Sequence, residues 1–440
     1  MGSSTAALSG PRPVPRQRLI GLAAVLLLVG AGRWGAYLGA PSAGIFLTDI
    51  LLASALARWL TRERNEETAV HVHALLPLFL AYVVVRVAFG VRLDAEVLRD
   101  AAPFLYSVVG FLGARLAWSL QPERRQAAAR AFRLALLFHL AWVLVALLLP
   151  LSALVPQVSQ VPPFTVRPDF DGAMLSVLAA LAFSDAVRTK GSLRSRAIAL
   201  SLVASGCCLA LGSRAAILAL ISCLAFAVWA MLRYAPSRQV LLRAFPALTL
   251  VLLSVTAFAP PVLGVERLAA SFGGAVETSA QASGQGTQRA RLESWKTVSA
   301  YMQQDKNRLA VGVGFGPNFM QESGALYLLV GDSESDVRSP HNFALGAFAR
   351  LGFAGFCLLA ALILVAVKRA FDTRDYTDDP FVLTQALMIV GIGMVSLLGV
   401  VLESPFGAIP FYFAIGAFAS QPQRSTELQV ALAPARRPRH

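Results

Sequence analysis

Long apolar runs separated by short, arginine-bearing connections occupy residues 17–263; a polar stretch follows over 264–341, and apolar runs resume over 342–420. A helix that crosses a bilayer needs about 20 mostly apolar residues. The pattern predicts spans over 17–32, 43–60, 71–89, 101–120, 131–151, 172–188, 197–212, 214–232, 244–263, 342–367, 381–401 and 405–420. The expected fold class is an all-α polytopic membrane protein of about 12 transmembrane helices, with one large loop between spans 9 and 10. The expected organisation is a flexible N-terminus over 1–16, spans 1–9 over 17–263, the loop over 264–341, spans 10–12 over 342–420 and a flexible tail over 421–440. The first apolar run lacks a small-residue cleavage signature and is expected to remain as the first helix.

Composition agrees with the pattern. The chain is 56% hydrophobic and 15% charged, against about 25% charged in a soluble protein. A net charge of +14 would suit nucleic acid if it were clustered, but its placement points elsewhere. Basic residues fall on alternate connections: Arg58, Arg62 and Arg64; Arg124, Arg125, Arg130 and Arg133; Arg188, Lys190, Arg194 and Arg196; Arg233, Arg238 and Arg243; Lys368, Arg369 and Arg374. This is a positive-inside bias, which puts both termini in the cytoplasm and the long loop on the opposite face. No nucleic-acid partner is expected. Cys207, Cys208, Cys223 and Cys357 all lie in apolar spans without paired or metal-like spacing, so neither a disulfide framework nor a metal site is implied.

The long loop is nearly balanced, with eight acidic and seven basic residues, so it is no polybasic anchor. Within it, TQRARLESWKTVSAYMQQ (287–304) sets Leu292, Trp295, Val298 and Met302 at spacings of three and four, predicting an amphipathic helix. The preceding SAQASGQGTQ reads as flexible. GVGFGPNF, which follows, reads as a tight turn. A shorter loop on the same side, PQVSQVPPFTVRPDFDG (156–172), carries Arg167, Asp169 and Asp171 and reads as a rigid cover.

Candidate chemistry gathers at this face. Ser339 and Pro340 form a helix-start signal, serine as N-cap and proline at the first helical position. That puts His341 in the first turn, where the positive helix end favours a neutral imidazole able to take a proton from a hydroxyl. The same amides could hold a phosphate, and an interfacial histidine without a role is the plainer alternative. Arg214, after Ser213, sits between two spans, where a charge faces a cavity or snorkels. Arg289 and Arg291 precede Trp295; two apart, they cannot share a helix face, so one is expected to point inward. Arg338 and Arg350 are further candidates, although Arg350 lies two turns into its span and suits a structural role. Arg86 needs a polar partner within the third span. Converging arginines beside a helix start and a glycine turn would make a cradle for pyrophosphate, because guanidinium binds phosphate oxygens in bidentate fashion. The carboxylates near the spans, Asp49, Asp185 and Glu403, do not form a metal-binding cluster in sequence. Glu403 stands at a helix junction, where it could cap a helix or hold a hydroxyl. No phosphate-loop or zinc-protease motif occurs.

In order and spacing these features resemble the O-antigen ligase and polymerase superfamily of bacterial envelope proteins. The resemblance is carried by Ser213-Arg214, by Arg291 with Trp295, by Gly312-Val313-Gly314-Phe315-Gly316 and by His341-Asn342, and it covers residues 197–420. It implies a glycosyltransferase of the membrane class that uses polyprenyl-phosphate sugars, acting at the periplasmic face of the bacterial inner membrane. The donor would be an undecaprenyl-diphosphate-linked glycan and the mechanism inverting, metal-independent and free of cofactors. Arg214, Arg291 and His341 would be catalytic; Arg214, Arg289, Arg291, Arg338 and Asn342 would bind substrate. The resemblance puts O-antigen transfer to the lipid A-core oligosaccharide first. O-antigen polymerisation and protein O-glycosylation follow, with a lipid-linked sugar transporter as the alternative from another class. Membrane lipid and transient partners in the envelope glycan pathway complete the expected partners.

Overall fold

The computed structural model describes residues 16–40, 45–62, 73–90, 94–119, 122–149, 165–234, 279–330, 337–373, 376 and 379–420. The expected span over 244–263, the terminal segments 1–15 and 421–440, and most of the proline-rich stretch of the shorter loop lie outside them.

The described chain is helical apart from a two-residue antiparallel ladder, β1 (Gly39–Ala40) with β2 (Ile45–Phe46). The helices of the first part are α1 (Arg16–Ala36), α2 (Leu47–Arg62), α3 (Leu75–Ala88), α4 (Ala95–Leu105), α5 (Val109–Ser119), α6 (Pro122–Leu148), α7 (Pro168–Arg188), α8 (Gly191–Ala210) and α9 (Arg214–Tyr234). The long loop contributes α10 (Ser279–Gln303), α11 (Lys306–Val311), α12 (Phe319–Glu322) and α13 (Ala325–Val330). The chain then forms α14 (Phe343–Asp372), α15 (Pro380–Ser396) and α16 (Pro405–Ala419).

Among the described residues, six segments are long and apolar enough to cross a membrane: Ala95–Ala117, Glu123–Leu148, Pro168–Arg188, Gly191–Ala210, Arg214–Arg233 and Phe343–Asp372. Four of the other expected spans fall on shorter apolar helices, Ile20–Ala36, Leu75–Ala88, Pro380–Ser396 and Pro405–Ala419, and 43–60 falls on α2. The chain is a multi-pass membrane protein. Helices apolar on all sides belong inside such a bundle, and α7 and α16 are buried along nearly their whole length. α7 packs against α8 and α9, and α16 against α5. On α6 and α14 the apolar side chains Leu134, Leu148, Phe353 and Leu364 face outward, as lipid contact requires.

Three local expectations change. The span expected over 101–120 starts earlier, because Asp94 caps α4 by accepting from the Val97 amide (2.8 Å), and a 3-10 turn over Tyr106–Val108 separates α4 from α5. α10 begins at Ser279, so SAQASGQGTQ is helical rather than flexible. Its inward face carries Ser294, Val298 and Met302, whereas Leu292 is 43% exposed; Arg291 takes the inward place one residue earlier. Val298 and Met302 pack with Phe319, Met320, Ala325 and Leu326 into a small core of the loop's own, which closes on Ala349 of α14.

α14 is broken at Gly352 (φ 65°, ψ −173°). The glycine-rich turn docks into the break: the Val313 amide donates to the Ala349 carbonyl (2.9 Å) and the Gly314 amide to the Arg350 carbonyl (3.1 Å). Three arginines hold the turn from below. Arg86 donates to the Gly312 carbonyl (3.3 Å), Arg350 to those of Gly314 (3.2 Å) and Pro317 (3.1 Å), and Arg338 to that of Gly316. Buried Asp100 balances them, pairing with Arg338 (2.7 Å) and Arg350 (2.8 Å) and accepting from the Gly316 amide (3.0 Å). The turn is thus a structural joint between loop and bundle.

Candidate active site

The spacing of Arg291 and Trp295, one helical turn apart, puts both on one face of α10. Trp295 Nε1 donates to the Pro340 carbonyl (2.6 Å), while Arg291 Nη1 donates to the Leu398 carbonyl just past α15 (3.2 Å). One loop helix therefore fastens two strips of chain at the same end of the bundle. Burial, and then the charge of Arg214, depress the pKa of Arg291, and Asp169 acts in the opposite sense. An anion bound here would act on Arg291 in the same sense as Asp169, favouring its charged form. Arg214 opens α9, and Gly172 of α7 lies so close against Ala216 that a Cβ at Gly172 would overlap the Ala216 side chain. That contact keeps the first turns of α7 and α9 together, so residues at the start of α7 enter the same site.

His341 does not stand in the first turn of its helix. Asn342 is the N-cap of α14, its Oδ1 accepting from the Leu345 amide (3.1 Å), and Ser339 Oγ instead donates to Glu403 Oε1 (2.5 Å). Pro340 is therefore ahead of the helix. His341 is, among the described residues, the one non-glycine residue with positive φ (55°). Such backbone persists where its surroundings fix it. Here Ser339 is tied to Glu403, Pro340 to Trp295, and Asn342 caps the helix. Burial is the main cause that depresses the His341 pKa, followed by the charges of Arg291 and Arg167, with Asp169 opposing them. The shift favours the neutral imidazole, and burial and guanidinium neighbours rather than a first-turn position are its cause.

Of the sequence candidates, Arg214, Arg291 and His341 come together. Arg289 is exposed. Arg338 is tied to Asp100, Glu96 and the Gly316 carbonyl, and Arg350 to Asp100 and the turn. The Oδ1 of Asn342 is occupied by the cap. The Val313, Gly314 and Gly316 amides of the glycine turn donate within the protein. Two residues of this neighbourhood were not among the candidates. Arg167 and Asp169, paired at 3.1 Å, flank the start of α7, where a proline at the first helical position and acidic residues in the first turn are a readable helix-start signal.

Glu403 lies partly buried against Ser339 of the His341 strip. Burial pushes its carboxyl up to about 7, against the lowering effects of the Ser339 hydrogen bond and of Arg350. A raised folded pKa adds stability at low pH that is lost as pH rises from about 4.5 through about 7. Glu403→Gln keeps an acceptor for Ser339 and removes the titration. Its thermal midpoint in detergent should vary less with pH over that window, and should match or exceed the unsubstituted protein's at pH 8.

Two half-buried arginines, a histidine and a carboxylate lie at one end of an apolar bundle in a membrane protein. Residues 198–360 match the family model described as O-Antigen ligase. The matched segment contains Arg214, Arg291, the glycine turn and His341, the features that carry the resemblance. Comparison with curated proteins gives no match. Proteins of this family are membrane glycosyltransferase-like enzymes, ligases or polymerases, whose substrates are lipid-linked glycans.

Proposed function

We propose that the protein transfers O-antigen polysaccharide from undecaprenyl diphosphate to a lipid A-core oligosaccharide. The reaction takes place at the periplasmic face of the inner membrane, in a chain of twelve spans with both termini cytoplasmic. The observation that carries this reading is the convergence of Arg214, Arg291 and neutral His341, fastened by Trp295. The two guanidinium groups bind the diphosphate and offset the charge that grows on it as the sugar leaves, without a metal. His341 faces the acceptor hydroxyl and hydrogen-bonds it for attack from the side opposite the leaving group, which inverts the anomeric centre. The polyprenyl chain stays in lipid while its headgroup enters the polar end of the bundle.

Purified protein in liposomes, given lipid-linked glycan and lipid A-core with a chelator present, should form glycosylated lipid A-core. His341→Ala should lower the rate by about 10²- to 10⁴-fold with donor binding retained. Chain growth on the lipid carrier would make the protein a polymerase, and glycan on serine or threonine of a protein acceptor a protein glycosyltransferase. Movement of intact donor across the bilayer without product would make it a transporter.

A further inference from the structure

The charge of Asp169 is felt at Arg291 and His341 although its sequence position, on another helix from a different loop, sets it apart from the arginine and histidine motifs. Its Oδ1 accepts from Arg167 Nε (3.1 Å) and from the Phe170 amide (3.0 Å), which fixes the carboxylate plane at the start of α7. Its Oδ2 is turned toward Gly399, where an added Cβ would come within 3.2 Å. The neighbouring Leu398 carbonyl receives Arg291. Asp169 and Arg291 thus flank the same two residues, and the charge of Asp169 is felt at both Arg291 and His341. With Oδ1 holding two donors, Oδ2 is the carboxylate atom turned toward the Leu398–Gly399 strip that Arg291 reaches.

On the transfer reading above, we propose that Asp169 Oδ2 is the proton acceptor of the reaction, with Arg167 as its partner. The acceptor hydroxyl gives its proton to Asp169 as its oxygen forms a bond to the anomeric carbon. The bond from that carbon to the diphosphate oxygen breaks, and the electron pair leaves with the diphosphate. Protonation cancels the charge that held Arg167, so that guanidinium joins Arg214 and Arg291 in facing the departing phosphate. His341 orients the hydroxyl by hydrogen bonding.

The test compares Asp169→Asn, Asp169→Ala and His341→Ala in the reconstituted transfer assay, with donor binding measured separately by thermal shift against undecaprenyl-diphosphate-linked glycan. Asp169→Asn is expected to bind donor as the unsubstituted protein does and to lose about 10²- to 10⁴-fold in rate. Added formate should restore part of the rate in Asp169→Ala, and none in His341→Ala. Asp169→Asn at near-normal rate in an active preparation would overturn the proposal alone, leaving the transferase reading intact. Loss of rate together with donor binding, without formate rescue, would also overturn it, making Asp169 a structural residue. If the unsubstituted protein binds donor but forms no product with any acceptor, the transferase reading itself fails and the proposal falls with it.

Discussion

Arg291→Ala is expected to lower glycan transfer by roughly 10²- to 10³-fold, the scale of losing one preorganised donor to a developing negative charge. The effect should be large because Arg291 is half-buried, is placed by its bond to the Leu398 carbonyl, and lies close enough to Arg214 for their charges to oppose one another. A bound diphosphate relieves that repulsion, and relieves it more as charge builds on the leaving oxygen. Arg291→Lys keeps the charge but gives up the planar two-pronged donor, and should recover only part of the rate. Arg289→Ala should stay within about twofold, the range of an exposed position away from special contacts. Steady-state rates for the three variants at saturating donor and acceptor check this. Equal losses for Arg289 and Arg291 would contradict the inward placement of Arg291.

The second large effect concerns folding. At Gly312→Ala the new Cβ would meet the Arg350 carbonyl, and at Gly352→Ala the Gly312 amide nitrogen; both overlaps are with backbone, and both glycines have positive φ (78° and 65°). No rotamer change relieves such a clash, so the joint must open. Each variant is expected to lose about 3 kcal/mol or more, through backbone strain and overpacking together. That would appear as a marked fall in thermal midpoint in detergent, or as failure to recover folded protein. Gly206→Ala is the contrasting case: its Cβ meets nothing within 4 Å, in the interior of α8. Alanine is the better helix former there by up to about 1 kcal/mol, so Gly206→Ala should be neutral or stabilising. Similar losses at all three positions would argue against the docked joint.

Transfer itself, if it depends on Arg214, Arg291 and His341, requires the loop to be seated on the bundle, since Arg291 arrives on α10 while Arg214 and the His341 strip belong to bundle helices and their ends. The joint at Gly312 and Gly352 is therefore where folding and the site meet.

Much of this molecule was legible along the chain. Apolar runs of membrane length announce helices because backbone polar groups in hydrocarbon must be satisfied internally. The Arg291–Trp295 spacing announced one helix face, and a serine–proline–histidine run after a long polar loop announced the start of a helix close to its observed place. Pairings between distant segments could not be read in this way. Arg338 and Arg350 resemble ligand arginines until Asp100 is found beside them, more than two hundred residues away in sequence. Ser339 and Pro340 spell a helix start, but the Ser339 hydroxyl bonds Glu403 and leaves the cap to Asn342. GVGFG reads as a tight turn, but that its Val313 and Gly314 amides donate to the break in α14 is seen only in the fold. The neutrality of His341 follows from its residue type only in part, because burial and the two nearby guanidiniums are set by packing. Local sequence determines which segments are helices and which side chains can carry charge or a proton. Which charges are cancelled within the protein and which remain for a ligand is decided only in three dimensions, because electrostatic partners are chosen by distance through space.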